Sequence, residues 1–310
     1  MKTEKIVSFV GVLFLAAVVT ALVWATREQP GLAPETEQVV AETLEYPPFP
    51  SPNGYGVLLQ AADNTKKLDE DVKSMSRGAL EAYLSPHEEA LKIARSAFEH
   101  DSRVILDGES EFKGSHAEEL DGFGRLGTLF MAQALLAESK VQVNAALDAY
   151  LDVIKIATVV SRGGVAENLN AGNVINEKGC LGVESLILKL SKDRIRVAIE
   201  KIGEINQQRP GIDELREWGL FLDQTLHEGR MATLDQGQLD EKKRDLEVAI
   251  ESASRQLKRL RVVLVRLALR SFEFQNGKQP ESLSLLTPEY LPHIPTDPST
   301  GDVFTLAALE

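Results

Sequence analysis

The chain has 310 residues and a formal charge of −13. An acidic balance of this size excludes a general nucleic-acid binder, which needs a positive surface to displace counterions. The single cysteine, Cys180, allows no intramolecular disulfide, and its apolar helical setting, GCLGVESLIL, predicts a buried core residue rather than a reactive thiol.

The first predicted element is Ile6 to Trp24, nineteen residues without a charge. That is long enough to cross a hydrocarbon core as a helix. Lys2 and Lys5 precede it, and Arg27 stands against five glutamates after it. This bias places the amino terminus in the cytoplasm and the body outside the inner membrane. A cleaved signal peptide is the competing reading, since Val23-Trp24-Ala25 suits a signal peptidase, although the apolar run is longer than a usual signal core. Residues 26–52 hold six prolines and five glutamates and read as a semi-extended spacer. The expected organisation is therefore 1–25 as cytoplasmic tip and anchor, 26–52 as linker, 53–275 as a helical domain and 276–310 as a cap.

A short helix is expected from Asn53 to Ala62, then an acidic connection at Asp69-Glu70-Asp71. Ser85, Pro86 and Glu88 form a capping-box signature for a helix to about His100, with Ala90, Leu91, Ala94 and Ala97/Phe98 on its buried face. A polar loop, Asp107 to Ser115, follows. Glu118–Lys140 and Val141–Arg162 carry apolar stripes at helical spacing and join with almost no loop, which predicts an antiparallel hairpin. Further helices are expected over Ala166–Leu190, loosened by Gly172, Gly179 and Gly182, over Asp193–Gln207, and over Ile212–Gly229. The succession predicts an all-α fold, an array of antiparallel hairpins of tetratricopeptide-like character without a strict repeat.

The longest predicted helix is Asp240–Gln275. Its stripe of Leu246, Ile250, Ala253, Leu257, Leu260, Leu264, Leu267 and Ser271 keeps a heptad spacing. Two uses fit the pattern: the face on which the hairpins pack, or a homo-oligomer seam through 246–271, which would need Leu246, Leu257 and Leu264 exposed. The same helix carries Arg255, Lys258, Arg259, Arg261, Arg266 and Arg270 with no acid between Ser252 and Phe272. This basic stripe is the candidate partner-binding surface. The alternative is internal, with the arginines neutralising the acidic helices they pack on. Beyond it, five prolines break the tail into short turns, with Thr287–Leu291 expected as one helical turn.

No catalytic, cofactor or metal constellation is expected. Gly122-Phe123-Gly124-Arg125-Leu126-Gly127 fits a dinucleotide fingerprint only in letters, because it follows a polar helical segment instead of a buried strand. The histidines, His87, His100, His116, His227 and His293, show no metal-binding pair, and they read as capping or surface residues.

Pro52-Asn53-Gly54-Tyr55, the paired helices over 118–162, Leu267-Ala268-Leu269-Arg270, Asn276-Gly277-Lys278-Gln279-Pro280-Glu281-Ser282-Leu283, Pro288-Glu289-Tyr290-Leu291 and Ile294-Pro295-Thr296-Asp297-Pro298 together form a pattern. It resembles that of uncharacterised bacterial single-pass membrane-anchored helical proteins. The tail is also similar to the C-terminal segment of type II secretion pseudopilins, which wraps back onto a long helix. The prepilin cleavage motif of that family is absent here. The resemblance implies architecture and an envelope location, and it implies no activity. The expected function is a protein–protein interaction or envelope-assembly scaffold, bound to the bilayer through 6–24, with no cofactor and no nucleic acid. The alternative is an envelope hydrolase whose carboxylates only the fold assembles.

Overall fold

The computed structural model describes residues 49–68, 70–105, 115–164, 166–217 and 236–309. The described residues form an all-α protein: no strand occurs among them, and Thr296 and Val303 make an isolated bridge. No helix among them is long and apolar enough to cross a membrane. The expected anchor at 6–24, most of the linker and most of the Asp107–Ser115 loop lie outside the described residues, as does everything between 217 and 236.

Helix α1 (Gly54–Asp63) begins at Asn53, whose side-chain oxygen accepts from the Tyr55 N–H. The same amide donates to the Arg103 carbonyl at 2.8 Å and accepts from the Arg103 N–H at 3.0 Å, as a strand neighbour would. A Cβ on Gly54 would stand 2.7 Å from the Ala97 carbonyl. Tyr55 is buried edge-on against Phe123, with ring centroids 5.1 Å apart. The Asn-Gly-Tyr segment thus ties the start of the body to the end of the helix that precedes residue 100.

Helix α2 (Arg77–Leu84) was not expected. Ser76 caps it by accepting from the Ala79 N–H. Ser85 is therefore not an N-cap: it has helical dihedrals, closes α2 as its C-cap and sits in a single 3-10 turn, Ser85–His87, that leads into α3 (Glu88–Ala97). Pro86 lacks an N–H, so the tighter turn carries the chain past it without a broken α-helical bond. Ala90, Leu91, Ala94 and Ala97 are buried as expected.

Helices α4 (Ser115–Ser139) and α5 (Val143–Ser161) form the expected hairpin. The turn is a Schellman closure: Gln142 N–H bonds to the Ala137 carbonyl and Val141 N–H to that of Glu138. The left-handed position, φ 58°, is held by Val141, a β-branched residue that is 83% exposed. Helix α5 is buried from Ala146 to Val160 on nearly every side, Asp152 included. Such a helix belongs at the centre of a core. Arg95 of α3 reaches Asp152 at 2.8 Å and keeps that carboxylate paired.

Helix α6 (Ala166–Leu186) packs along α5. Its glycines do not loosen it. A Cβ on Gly179 would lie 2.6 Å from Ile154 Cγ1 and 3.1 Å from the Tyr150 carbonyl, and one on Gly172 would lie 2.9 Å from the Ala157 carbonyl. They mark where two helix backbones approach too closely for a side chain. Helix α7 (Lys192–Gln208) follows with Ser191 as its cap, and 212–217 is a further helical segment. Helix α8 (Gln236–Asn276) packs on α6 and α7.

The heptad stripe of α8 is spent on that packing. Leu257 and Leu264 are buried and Leu246 partly so, and the exposure that a dimer seam requires of them is missing. The tail folds back on α8, burying Leu283, Leu286 and Leu291 with Tyr290 and Ile294 partly covered. Its first turn is a 3-10 helix at Leu283–Leu286, ahead of the expected position. Two histidines are also interior. His87 donates from Nδ1 to the Tyr83 carbonyl (2.8 Å) and accepts the Lys66 N–H at Nε2, while His116 donates from Nε2 to Asn168 Oδ1 (3.0 Å).

Candidate interaction surface between α6 and α8

The six basic residues of the stripe divide by where the helical turn points them. Arg259 and Arg266 cross to α6: Arg259 lies 2.9 Å from Glu177 and 4.0 Å from Glu184, and Arg266 lies 3.1 Å from Glu184. Lys258, Arg261 and again Arg266 hold the tail. Lys258 pairs with Asp297 at 2.7 Å, Arg261 donates to the Thr296 carbonyl at 2.7 Å, and Arg266 donates to the Leu309 carbonyl at 2.8 Å. Arg270 pairs along its own helix with Glu273 and stacks on Phe274. Arg255 is the least engaged, 67% exposed at the side chain, with Glu251 on its own helix at 3.9 Å. Arg259 and Arg266 therefore pair with acids of the helix they pack on, as the alternative reading expected, while Lys258 and Arg261 engage the tail.

Burial opposes ionisation of Asp297, but the Lys258 ammonium and the N–H and hydroxyl of Ser299 outweigh it and bring its pKa down to about 2. Burial also pulls the Arg261 guanidinium below its ordinary value, with Asp297 acting against that shift.

Between α6 and α8 these pairs leave an open groove of about 640 Å³. Glu177 and Glu184 line one wall, and Arg255, Lys258, Arg259 and Arg266 the other. Beside Glu177 and Glu184, α6 exposes Val174 and Leu181, by 57% and 43%, and the 3-10 turn that follows it, Ile187–Lys189, exposes Leu188 by 78%. At 3.6 residues per turn Val174 and Leu181 share a face with Glu177 and Glu184. Sequence reasoning passed over them. Their spacing is visible, but α6 also carries Leu169, Ile175, Val183 and Leu186, which are buried, and spacing alone does not say which set faces solvent.

A hydrolase would need a cleft with two carboxylates in different environments. Both carboxylates of this groove are held by arginines, and Asp152, whose pKa burial raises against the opposing effect of Arg95, points elsewhere. Among the described residues no group of three or more His, Cys, Asp or Glu is placed to hold a metal ion. Cys180 is buried, and burial pushes its thiol up to about 12. No protein-family profile, curated protein or solved structure matches the chain.

Proposed function

We propose that this protein is a membrane-anchored scaffold of the bacterial cell envelope, with its amino terminus in the cytoplasm and its helical body outside the inner membrane. In this reading the α6–α8 groove receives an amphipathic helix from a protein partner. The observation that carries it is the exposed Val174–Leu181–Leu188 lip beside a groove walled by charges of both signs. A helix with apolar residues at the same spacing would cover about 20 Å of that lip. An acidic residue on it would face Arg255, the cation with the weakest internal pairing. The anchor at 6–24, the Pro/Glu spacer, the hairpin array and the resemblance to membrane-anchored helical proteins support the same placement.

The test is photo-crosslinking in cells from a reactive amino acid at position 181 or 188, with exposed positions 99 and 192 as controls. The expected result is a discrete adduct from 181 and 188 alone, lost in a V174E variant of unchanged helicity. Equal labelling from all four positions, or adducts that survive V174E, would remove this surface from the reading. An adduct identified as a second copy of this chain would replace the partner with self-association.

A further inference from the structure

A second cavity, of about 30 Å³, lies where the ends of α5 and α7 meet α6, α8 and the segment at 212–215. Its walls are mostly apolar, with Leu169, Ile212, Leu215 and Leu257 among them, and Thr158, Ser161, Asn173 and Arg209 supply the polar lining. Arg209 is unlike the arginines of α8. It is partly buried at the end of α7, and no carboxylate among the described residues pairs with it. Its Nε–H donates to the Thr158 hydroxyl at 3.3 Å and Nη2 donates to the Asn176 carbonyl oxygen, both neutral acceptors. Burial brings the guanidinium pKa down to about 10, so it remains a cation at neutral pH. A cation between apolar walls with only neutral acceptors is costly unless a negative charge joins it.

Arg209, Ser161 and Asn173 all line this space. Nη1 has no described acceptor, and neither has the Ser161 hydroxyl. Asn173 Nδ2 spends one N–H on the Ala249 carbonyl, at 3.5 Å, and keeps the other. The Thr158 proton is committed to the Ile154 carbonyl, so that hydroxyl serves as the acceptor that orients Arg209. A cavity needs roughly 10–15 Å³ to seat one water. The space therefore admits a small anion, and because one guanidinium neutralises one negative charge, a divalent sulfate would leave a charge unpaired between apolar walls.

We propose that this cavity binds one small monovalent anion of chloride size, held by the Arg209 guanidinium, the Ser161 hydroxyl and the Asn173 amide. The bound anion neutralises Arg209 and joins α5, α6 and α7 to the 212–215 segment. The inference stands independently of the groove and its partner.

The test uses the full chain in detergent at constant ionic strength, with chloride exchanged for gluconate. Tm is expected to rise saturably with chloride, by about 3 °C at tenfold above the half-saturating concentration, and sulfate is expected to give no such rise. R209Q is expected to lose the dependence, and S161A to shift half-saturation several-fold higher. Chloride-35 NMR on the unmodified protein reads the same site without a variant: a broadened line is expected, narrowed by bromide. If R209Q fails to fold, S161A and the NMR line decide. No chloride-specific stabilisation and no broadening in the unmodified protein, or an unchanged response in a folded R209Q or in S161A, would overturn the proposal.

Discussion

Helix α6 meets its two long neighbours by opposite means. Against α5 it presents Gly172, Gly179 and Gly182, and the backbones approach until a Cβ at any of them would clash. Against α8 it presents Glu177 and Glu184, which reach arginines across a gap wide enough to leave a groove. The first contact is set by shape and excludes water, so its strength is insensitive to salt and pH. The second combines a buried apolar strip, Leu169 against Ala249 and Ile250, with ion pairs nearer the surface, each of which contributes little, about 0–1 kcal/mol. A helix locked on one side in this way can display polar and apolar groups on the other without depending on them for its position.

Breaking the close side should have the largest effect. A valine at Gly179 would place its side chain into Ile154 and against the Tyr150 carbonyl, and backbone cannot swing aside as a side chain can. Overpacking of this kind costs about 3 kcal/mol. For a body of this size that lowers Tm by roughly 6–12 °C, read by thermal loss of helical circular dichroism. A Cβ on Gly203 of α7 would meet nothing within 4 Å, so G203A is the matched control and should gain up to about 1 kcal/mol from helix propensity. A tolerated G179V would mean that α5 and α6 are less tightly joined than their glycines indicate.

A smaller effect, of opposite sign, is expected at the turn that sets α4 against α5. Val141 occupies a left-handed position that glycine adopts freely and a β-branched residue resists. It is exposed, so glycine there loses little packing. V141G should stabilise the body by about 1 kcal/mol, net of glycine's greater freedom in the unfolded chain. Equilibrium denaturant unfolding of the two proteins checks it.

How much of this was legible depended on length and repetition. Helices α4 to α8 showed in the sequence within a few residues of their ends, because each carries several turns of apolar periodicity. Helix α2 did not, since eight residues with only Leu80 and Leu84 buried make too short a pattern, and Ser85-Pro86 offered a stronger false cap nearby. The basic stripe was plain in the sequence. Its division between Glu177, Glu184 and the tail was not, because that depends on which residues a neighbouring helix turns toward it. Arg209 had no signal at all. An arginine before a proline is ordinary, and what singles it out is that no carboxylate among the described residues pairs with it.

The ion pair that clamps the tail to α8 should yield to acid where the close α5–α6 contact does not, and the effect should be the smallest and most local. Asp297 is held near pKa 2, below its ordinary 3.8, with the Lys258 ammonium as partner. A depressed carboxylate contributes stability that is complete above its unfolded pKa and lost as pH falls through its folded one. The Lys258–Asp297 clamp is therefore intact above about pH 4 and released as pH falls toward about 2. Hydrogen exchange, corrected for intrinsic rates, should show the Asp297 and Phe304 amides losing protection in that interval, since they bond within the tail to Asp302 and Pro295. The α5–α6 amides should hold. D297N has no charge to lose, so its tail should exchange faster at neutral pH and show no further step on acidification. A tail that stays protected at pH 2 in the unmodified protein would mean that Leu283, Leu286 and Leu291 hold it alone.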